Sequence, residues 1–150
     1  MTTVKPLSPY SLPATFRAYV YDAIVLSWET KHVNSIFSTF NNKTLRSDCG
    51  LDVQMIDKLP EVQVLDQGIW LEDEFLIFYN NNERGYNCLF KRLRDTFAHG
   101  HYGSNKRDWV TIRHRYKGSH DKVENTRAFG NMKITTLKKL IAFLDTAITK

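Results

Sequence analysis

The sequence predicts a mainly helical, all-α chain with one short β excursion, and three observations lead there. Apolar residues recur at three-and-four spacing in residues 14–28, 83–99 and 133–148, the mark of helices with one buried face. Clear period-two alternation appears only around residues 109–116. With 150 residues, 42% apolar and 13% aromatic, the chain suits a single domain, 1–150, with a proper core. Such a composition excludes a disordered polymer.

The elements follow in order. Pro6, Pro9 and Pro13 mark an extended lead-in, and Pro13 is suited to the first turn of a helix. Phe16, Tyr19, Val20, Ala23, Ile24, Ser27 and Trp28 then form one stripe of a helix that is expected to run towards Phe40. Asn41-Asn42-Lys43 reads as a turn, and a weaker helix over 51–59 is closed by Pro60. Residues 69–79 fit helix or strand by pattern alone; Glu72, Asp73 and Glu74, poor strand residues, favour helix. In the helix over 83–99, Tyr86, Leu89, Phe90, Leu93 and Phe97 share one apolar arc, and Gly100 suits a left-handed helix end. Residues 109–116 read as a strand or hairpin arm, 117–131 as a polar loop, and 133–148 as the final helix.

Charge is distributed unevenly. Residues 1–83 carry 6 Lys and Arg against 11 Asp and Glu, a net of −5; residues 84–150 carry 15 against 5, a net of +10. A basic half suits a surface that meets phosphate, since neutralising phosphates drives nucleic-acid affinity; a solvated face, or one docking on the acidic half of a second copy, is the alternative. No apolar run approaches the roughly 20 residues of a membrane span. The first residues lack the apolar core of a secretory signal, so a cytoplasmic, non-membrane protein is expected. Cys49 and Cys88 have no pairing motif or metal-ligand spacing and read as reduced, buried thiols.

The informative segment is Leu93-Arg94-Asp95-Thr96-Phe97-Ala98-His99-Gly100. Arg-x-x-x-x-His by itself is weak: nine Arg and five His give roughly 0.3 chance matches in a chain this long. Arg115 and His120 match it too, but they run from a strand into a loop. Arg94 and His99 lie on a packed helix and end at its cap. Five residues apart, they sit ~140° apart on the helix, whereas Asp95 and His99, at i and i+4, share a face. Arg92, Asp95, Thr96 and His99 form a polar stripe opposite the apolar arc.

This run resembles the signature of the HEPN family, and a short Trp-containing strand, a loop and a Met-Lys-Ile-Thr-Thr-Leu-Lys-Lys-Leu helix opening follow it in the same order, over residues 69–148. The resemblance implies a four- or five-helix up-and-down bundle and a homodimer in which two signature helices meet. It implies an endoribonuclease that works without metal or other cofactor, a toxin or antiphage-defence enzyme with a possible antitoxin partner. In that chemistry the RNA 2′-hydroxyl attacks its own phosphate and leaves a cyclic phosphate. His99 would be the acid/base, in the titration range of histidine, Arg94 the phosphate clamp, and Asp95 the group that orients His99. Many family members carry Asn where Asp95 stands, and a carboxylate there would repel phosphate. RNA contacts are expected from Arg92, His101, Tyr102, Lys106, Arg107, Arg113 and Arg115, with Tyr102, Trp109 and Tyr116 available to stack on bases. His99-Gly100-His101 alone is too small a set for a metal. The other classes of function open to the chain are a non-catalytic RNA- or nucleotide-binding module and a purely structural partner whose last helix assembles with another protein.

Overall fold

The computed structural model describes residues 8–32, 36–66, 74–80, 85–104, 106–119 and 121–149. Its centre is a five-stranded mixed sheet, which overturns the expected all-α bundle. After a 3-10 turn at Pro9–Ser11, helix α1 (Ala14–Val20) continues as π-helical turns at Tyr21–Leu26 and Trp28–His32. Then come β1 (Ile36–Phe37), α2 (Asn42–Cys49), β2 (Asp52–Ile56), α3 (Leu59–Asp66), β3 (Phe75–Tyr79) and α4 (Gly85–Ala98). The chain ends with β4 (Tyr102–Gly103), β5 (Trp109–Tyr116), β6 (Asn125–Lys133), α5 (Ile134–Thr146) and β7 (Ile148–Thr149). The large sheet has the order β2-β3-β6-β5-β4, with β2 and β3 parallel and the remaining pairs antiparallel. β1 and β7 form a separate antiparallel pair.

Several predicted elements prove different, each for a physical reason, and the first helix does not reach Phe40, because Ile36–Phe37 pair with β7 as strand β1. Asn41 is a helix cap rather than a turn: its Oδ1 accepts from the Lys43 and Thr44 amides at 3.0 and 3.3 Å, and Gly50 closes α2 at φ 70°. Pro60 opens α3 instead of closing a helix, since proline fits the first turn, where its missing N–H has no intrahelical partner to lose. The segment 51–59 therefore supplies strand β2. The segment 69–79 ends as strand β3, whose Phe75 begins after the acidic residues that argued for helix. Residues 67–73 lie outside the described residues. The polar stretch 117–131 is a loop only at its start; from Asn125 it is strand β6. The helices at 85–98 and 134–146 and the strand at 109–116 lie where the periodicity predicts.

One face of the sheet carries Val53, Leu76, Phe78, Val110, Ile112, Ala128 and Met132 into the main core, against α4, α5 and the N-terminal helical turns. On the other face Val62 of α3 packs on Ile77 and Phe129. Cys49 and Cys88 are buried and form no disulfide, as their spacing suggested. Among the described residues no helix is long and apolar enough to cross a membrane.

Candidate functional site

The site is built where α4 stops. The Gly100 amide donates to the Phe97 carbonyl at 3.4 Å and the His101 amide to the Thr96 carbonyl at 2.9 Å, the two crossed bonds of a Schellman end. That end needs a left-handed residue, and Gly100 supplies it at φ 70°. Because backbone amides already satisfy these carbonyls, the His99 ring is not needed as a cap. The reversal sets His99 and His101 side by side, ring centroids 5.8 Å apart. The Arg113 amide donates to the His101 carbonyl at 3.0 Å and stitches the turn to β5.

Strand β5 brings the third imidazole. Val110, Ile112, His114 and Tyr116 share its α4-facing side by simple alternation. His114 is 1% exposed; its Nδ1 lies 2.8 Å from Nδ1 of His101. Its ring is 5.0 Å from that of His101 and stacks at 6.1 Å on that of His99. Asp95, His99, His101, His114 and Tyr116 together line a pocket of about 360 Å³.

A β-bulge adds the cation. The pairing of β5 with β6 shifts register between His114 and Arg115, where His114 faces Ala128 and Arg115 faces Thr126. Arg127 is the extra residue, and a bulge of this kind re-aims a side chain. Its guanidinium sits 4.0 Å from the Tyr116 ring centroid and is anchored to Asp121 at 2.5 Å. Below the pocket, Arg92 is buried at 5% exposure. Its Nε donates to the Tyr79 carbonyl at 3.1 Å, its guanidinium lies 5.6 Å from the Tyr79 ring centroid, and no carboxylate pairs with it among the described residues.

These groups make the pocket electropositive. Burial, then the charges of His101, Arg92, His99 and Arg127, push the His114 pKa from the ordinary 6.5 to about 3. Burial, then His99, lowers His101 as well, against a smaller upward pull from Glu124. Both rings are thus held neutral. A cationic pocket with neutral imidazoles and no closed set of partners is suited to an anionic ligand with hydrogen-bond acceptors. Among the described residues no group of three His, Cys, Asp or Glu has metal-holding geometry.

The predicted residues are divided by the fold. Asp95, His99 and His101 meet in the pocket. Arg94 does not line it: its guanidinium is clamped by Glu29 at 2.7 Å and Asp95 at 2.6 Å, which raises its pKa, Glu29 contributing first. Asp95 takes that bond from Arg94 and makes none to His99 among the described residues. Arg92 is beneath the pocket rather than on the surface. Tyr102 is 4% exposed, packed on Phe97 at 4.7 Å, and so is core rather than a stacking platform. Arg113 pairs with Asp66 across the opposite face of the sheet at 2.8 Å, while Arg115 is half-buried. Lys106 and Arg107 are exposed on the turn before β5, the Lys106 ammonium 5.0 Å from the Trp109 ring centroid. His120 lies outside the described residues.

Sequence reasoning missed His114 and Arg127 as site residues. A histidine in register with Val110 and Ile112 on a core-facing stripe was the available signal for His114. Arg127 had none, because a bulge leaves no periodic trace. No family model, no curated protein and no solved structure matches this chain.

Proposed function

We propose that this chain is a metal-independent endoribonuclease whose chemistry takes place in the pocket of His99, His101 and His114. The observation that carries the reading is the meeting of three imidazoles and Tyr116 close to a buried Arg92 that no carboxylate pairs among the described residues, in the basic half of the chain. The helical-bundle part of the HEPN likeness is set aside; what remains of it is the helix end over residues 93–100, which builds half of the cluster.

In the reaction, a ring nitrogen of the exposed His99 takes the proton of the RNA 2′-hydroxyl. The 2′-oxygen forms a bond to phosphorus as the bond from phosphorus to the 5′-oxygen breaks, and the leaving oxygen takes its proton from solvent at the pocket mouth. The products are a 2′,3′-cyclic phosphate and a 5′-hydroxyl. Negative charge gathering on the phosphoryl oxygens is met by the field of Arg92 and Arg127, strengthened by burial. Tyr116, with Arg127 fixed on its ring, offers an aromatic edge to the adjoining nucleotide.

The test is cleavage of RNAs of varied sequence in excess EDTA, with the product ends identified. Cyclic phosphate ends that disappear in His99→Ala are expected. One observation favours a second reading: Arg94, the expected clamp, is occupied by two carboxylates. RNA bound with salt-dependent affinity but left uncut would make the chain a binding module instead.

A further inference from the structure

The contact between His101 and His114 contains more information than their proximity. Two Nδ1 atoms at 2.8 Å form a hydrogen bond only if one carries a proton and the other a lone pair. Two arrangements satisfy this. If His101 donates, His114 carries its ring proton on Nε2, which is buried and has no partner among the described residues. An orphaned buried N–H is rare and costs about 1–3 kcal/mol. It would also turn the positive end of an N–H dipole into a site that holds Arg92 and Arg127. If His114 donates, Nε2 is an unprotonated lone pair in that positive surrounding, and His101 carries its own proton on Nε2. The second arrangement exchanges the orphaned N–H for an unpaired lone pair, the lesser cost, and places that lone pair favourably towards the two arginines.

We propose that His114 is a positioning residue that locks His101 as a neutral ring protonated at Nε2, and that this N–H donates to a phosphoryl oxygen of the bound RNA. The inference rests on the proposed ribonuclease reading for its ligand, but not for the tautomer. It divides the histidines by role. His99 moves the proton, His101 is a fixed donor to the oxyanion, and His114 touches no substrate. The groups facing the pair are His99 and Arg92 from α4 and its end, Tyr116 from β5, Arg127 from β6, Asp95 across the pocket and Glu124 beside His101. A proton on Nδ1 of His101 would break the Nδ1–Nδ1 bond and add charge beside two arginines, in keeping with a His101 pKa held below its ordinary value by burial and His99.

The test reads the ring nitrogens directly and then the activity. Nitrogen-15 NMR of the histidine side chains in the wild-type protein at pH 7 is expected to show His114 protonated at Nδ1 and His101 at Nε2. His101 protonated at Nδ1, or a fast-exchanging mixture, overturns the lock, whatever RNA does. His101→Gln, whose amide donates from near the Nε2 position, is expected to cleave RNA within about 10-fold of wild type, while His101→Ala falls roughly 100-fold or more. His114→Asn, with an amide donor near the Nδ1 position, is expected to keep the wild-type pH–rate profile. His114→Leu is expected to add a second ionisation to that profile, as His101 becomes free to titrate. Equal loss in His101→Gln and His101→Ala overturns the donor role. A wild type that cuts no RNA overturns the ribonuclease reading and leaves the lock to the nitrogen spectra.

Discussion

Strand β5 separates two buried polar clusters, and they are built in opposite ways. On the α3 side, one oxygen of Asp66 accepts from Arg113 Nε and Nη2 at 3.1 and 2.8 Å and from the Thr126 hydroxyl at 2.5 Å. Gln63 completes that side by accepting from the Thr126 amide and donating to its carbonyl. Charge is cancelled there and each of these donors has an acceptor, although the second oxygen of Asp66 has no partner among the described residues. On the α4 side, three imidazoles surround a pocket and Arg127 is paired with Asp121, but Arg92 has no carboxylate partner and Nε2 of His114 no hydrogen-bond partner among the described residues. A cluster whose charges cancel on three converging donors holds a structure together. One left with the uncompensated charge of Arg92 beside a pocket has capacity for something else. The difference is drawn by alternation along a single strand, Arg113 to one face and His114 to the other.

The largest effect expected from breaking this contrast is on chemistry. His99→Ala should lower RNA cleavage by about 10²–10⁴-fold, the usual worth of a placed proton carrier. Stability should change by no more than about 0.5 kcal/mol, because the ring is exposed and caps nothing. Cleavage at the wild-type rate would remove the α4 side from the chemistry. On the other side of β5 the expectation reverses. Asp66→Ala leaves Arg113 without its carboxylate and should cost about 3 kcal/mol by urea denaturation, with the cleavage rate per folded molecule unchanged. Unaltered stability would show that the α3 cluster is not the structural one.

Protonation sharpens the comparison next. The folded pKa of His114, about 3, lies below the ordinary 6.5, so between these values the unfolded chain binds the extra proton. The stability this contributes is present above pH 6.5 and is lost as pH falls towards 3, with a slope from this group of at most about 1.4 kcal/mol per pH unit. His114→Asn should flatten that part of the stability–pH curve, as followed by denaturation at a series of pH values. A curve of the same slope in both proteins would place the acid sensitivity elsewhere. Smaller again, Gly100→Ala forces φ 70° on a residue with a Cβ, which would stand 3.2 Å from Pro9 Cγ. The expected cost is about 1 kcal/mol, accompanied by loss of cleavage as His99 and His101 move apart. A full-rate variant would mean that the helix end does not set the site.

How far the sequence discloses this arrangement depends on which period each element obeys. Helices α4 and α5 face one core and keep a 3.6-residue rhythm, so they are legible. Strand β3 is apolar along all five residues because Leu76 and Phe78 enter the main core while Ile77 packs under α3. A run buried on both faces has no rhythm to separate strand from helix. Strand β6 changes phase at Arg127, so its two halves alternate out of step and resemble a loop. The site divides along the same line. Asp95, His99 and His101 follow from a helix and its glycine stop, and His114 from alternation on β5 once that strand is known to cover a core. Arg127 depends on a bulge and Arg94 on the distant Glu29, neither of which local spacing reveals.

Arg94 gives the smallest expected effect and the finest discrimination. Its pair with Glu29 is half exposed, with side chains 32% and 47% accessible, so Arg94→Ala should cost less than about 1 kcal/mol of stability. Its second partner, Asp95, lines the pocket. Arg94 therefore masks a carboxylate that would otherwise repel RNA, and its loss should act on binding: KM rises several-fold while kcat stays close to wild type. Asp95→Ala in the same chain should restore KM, because nothing is left to mask. A clamp acting on the transition state predicts the reverse, a kcat lowered by about 10²-fold or more that Asp95→Ala does not rescue. Steady-state kinetics of the single and double variants separate the two roles, since only the masking role makes the second substitution undo the first.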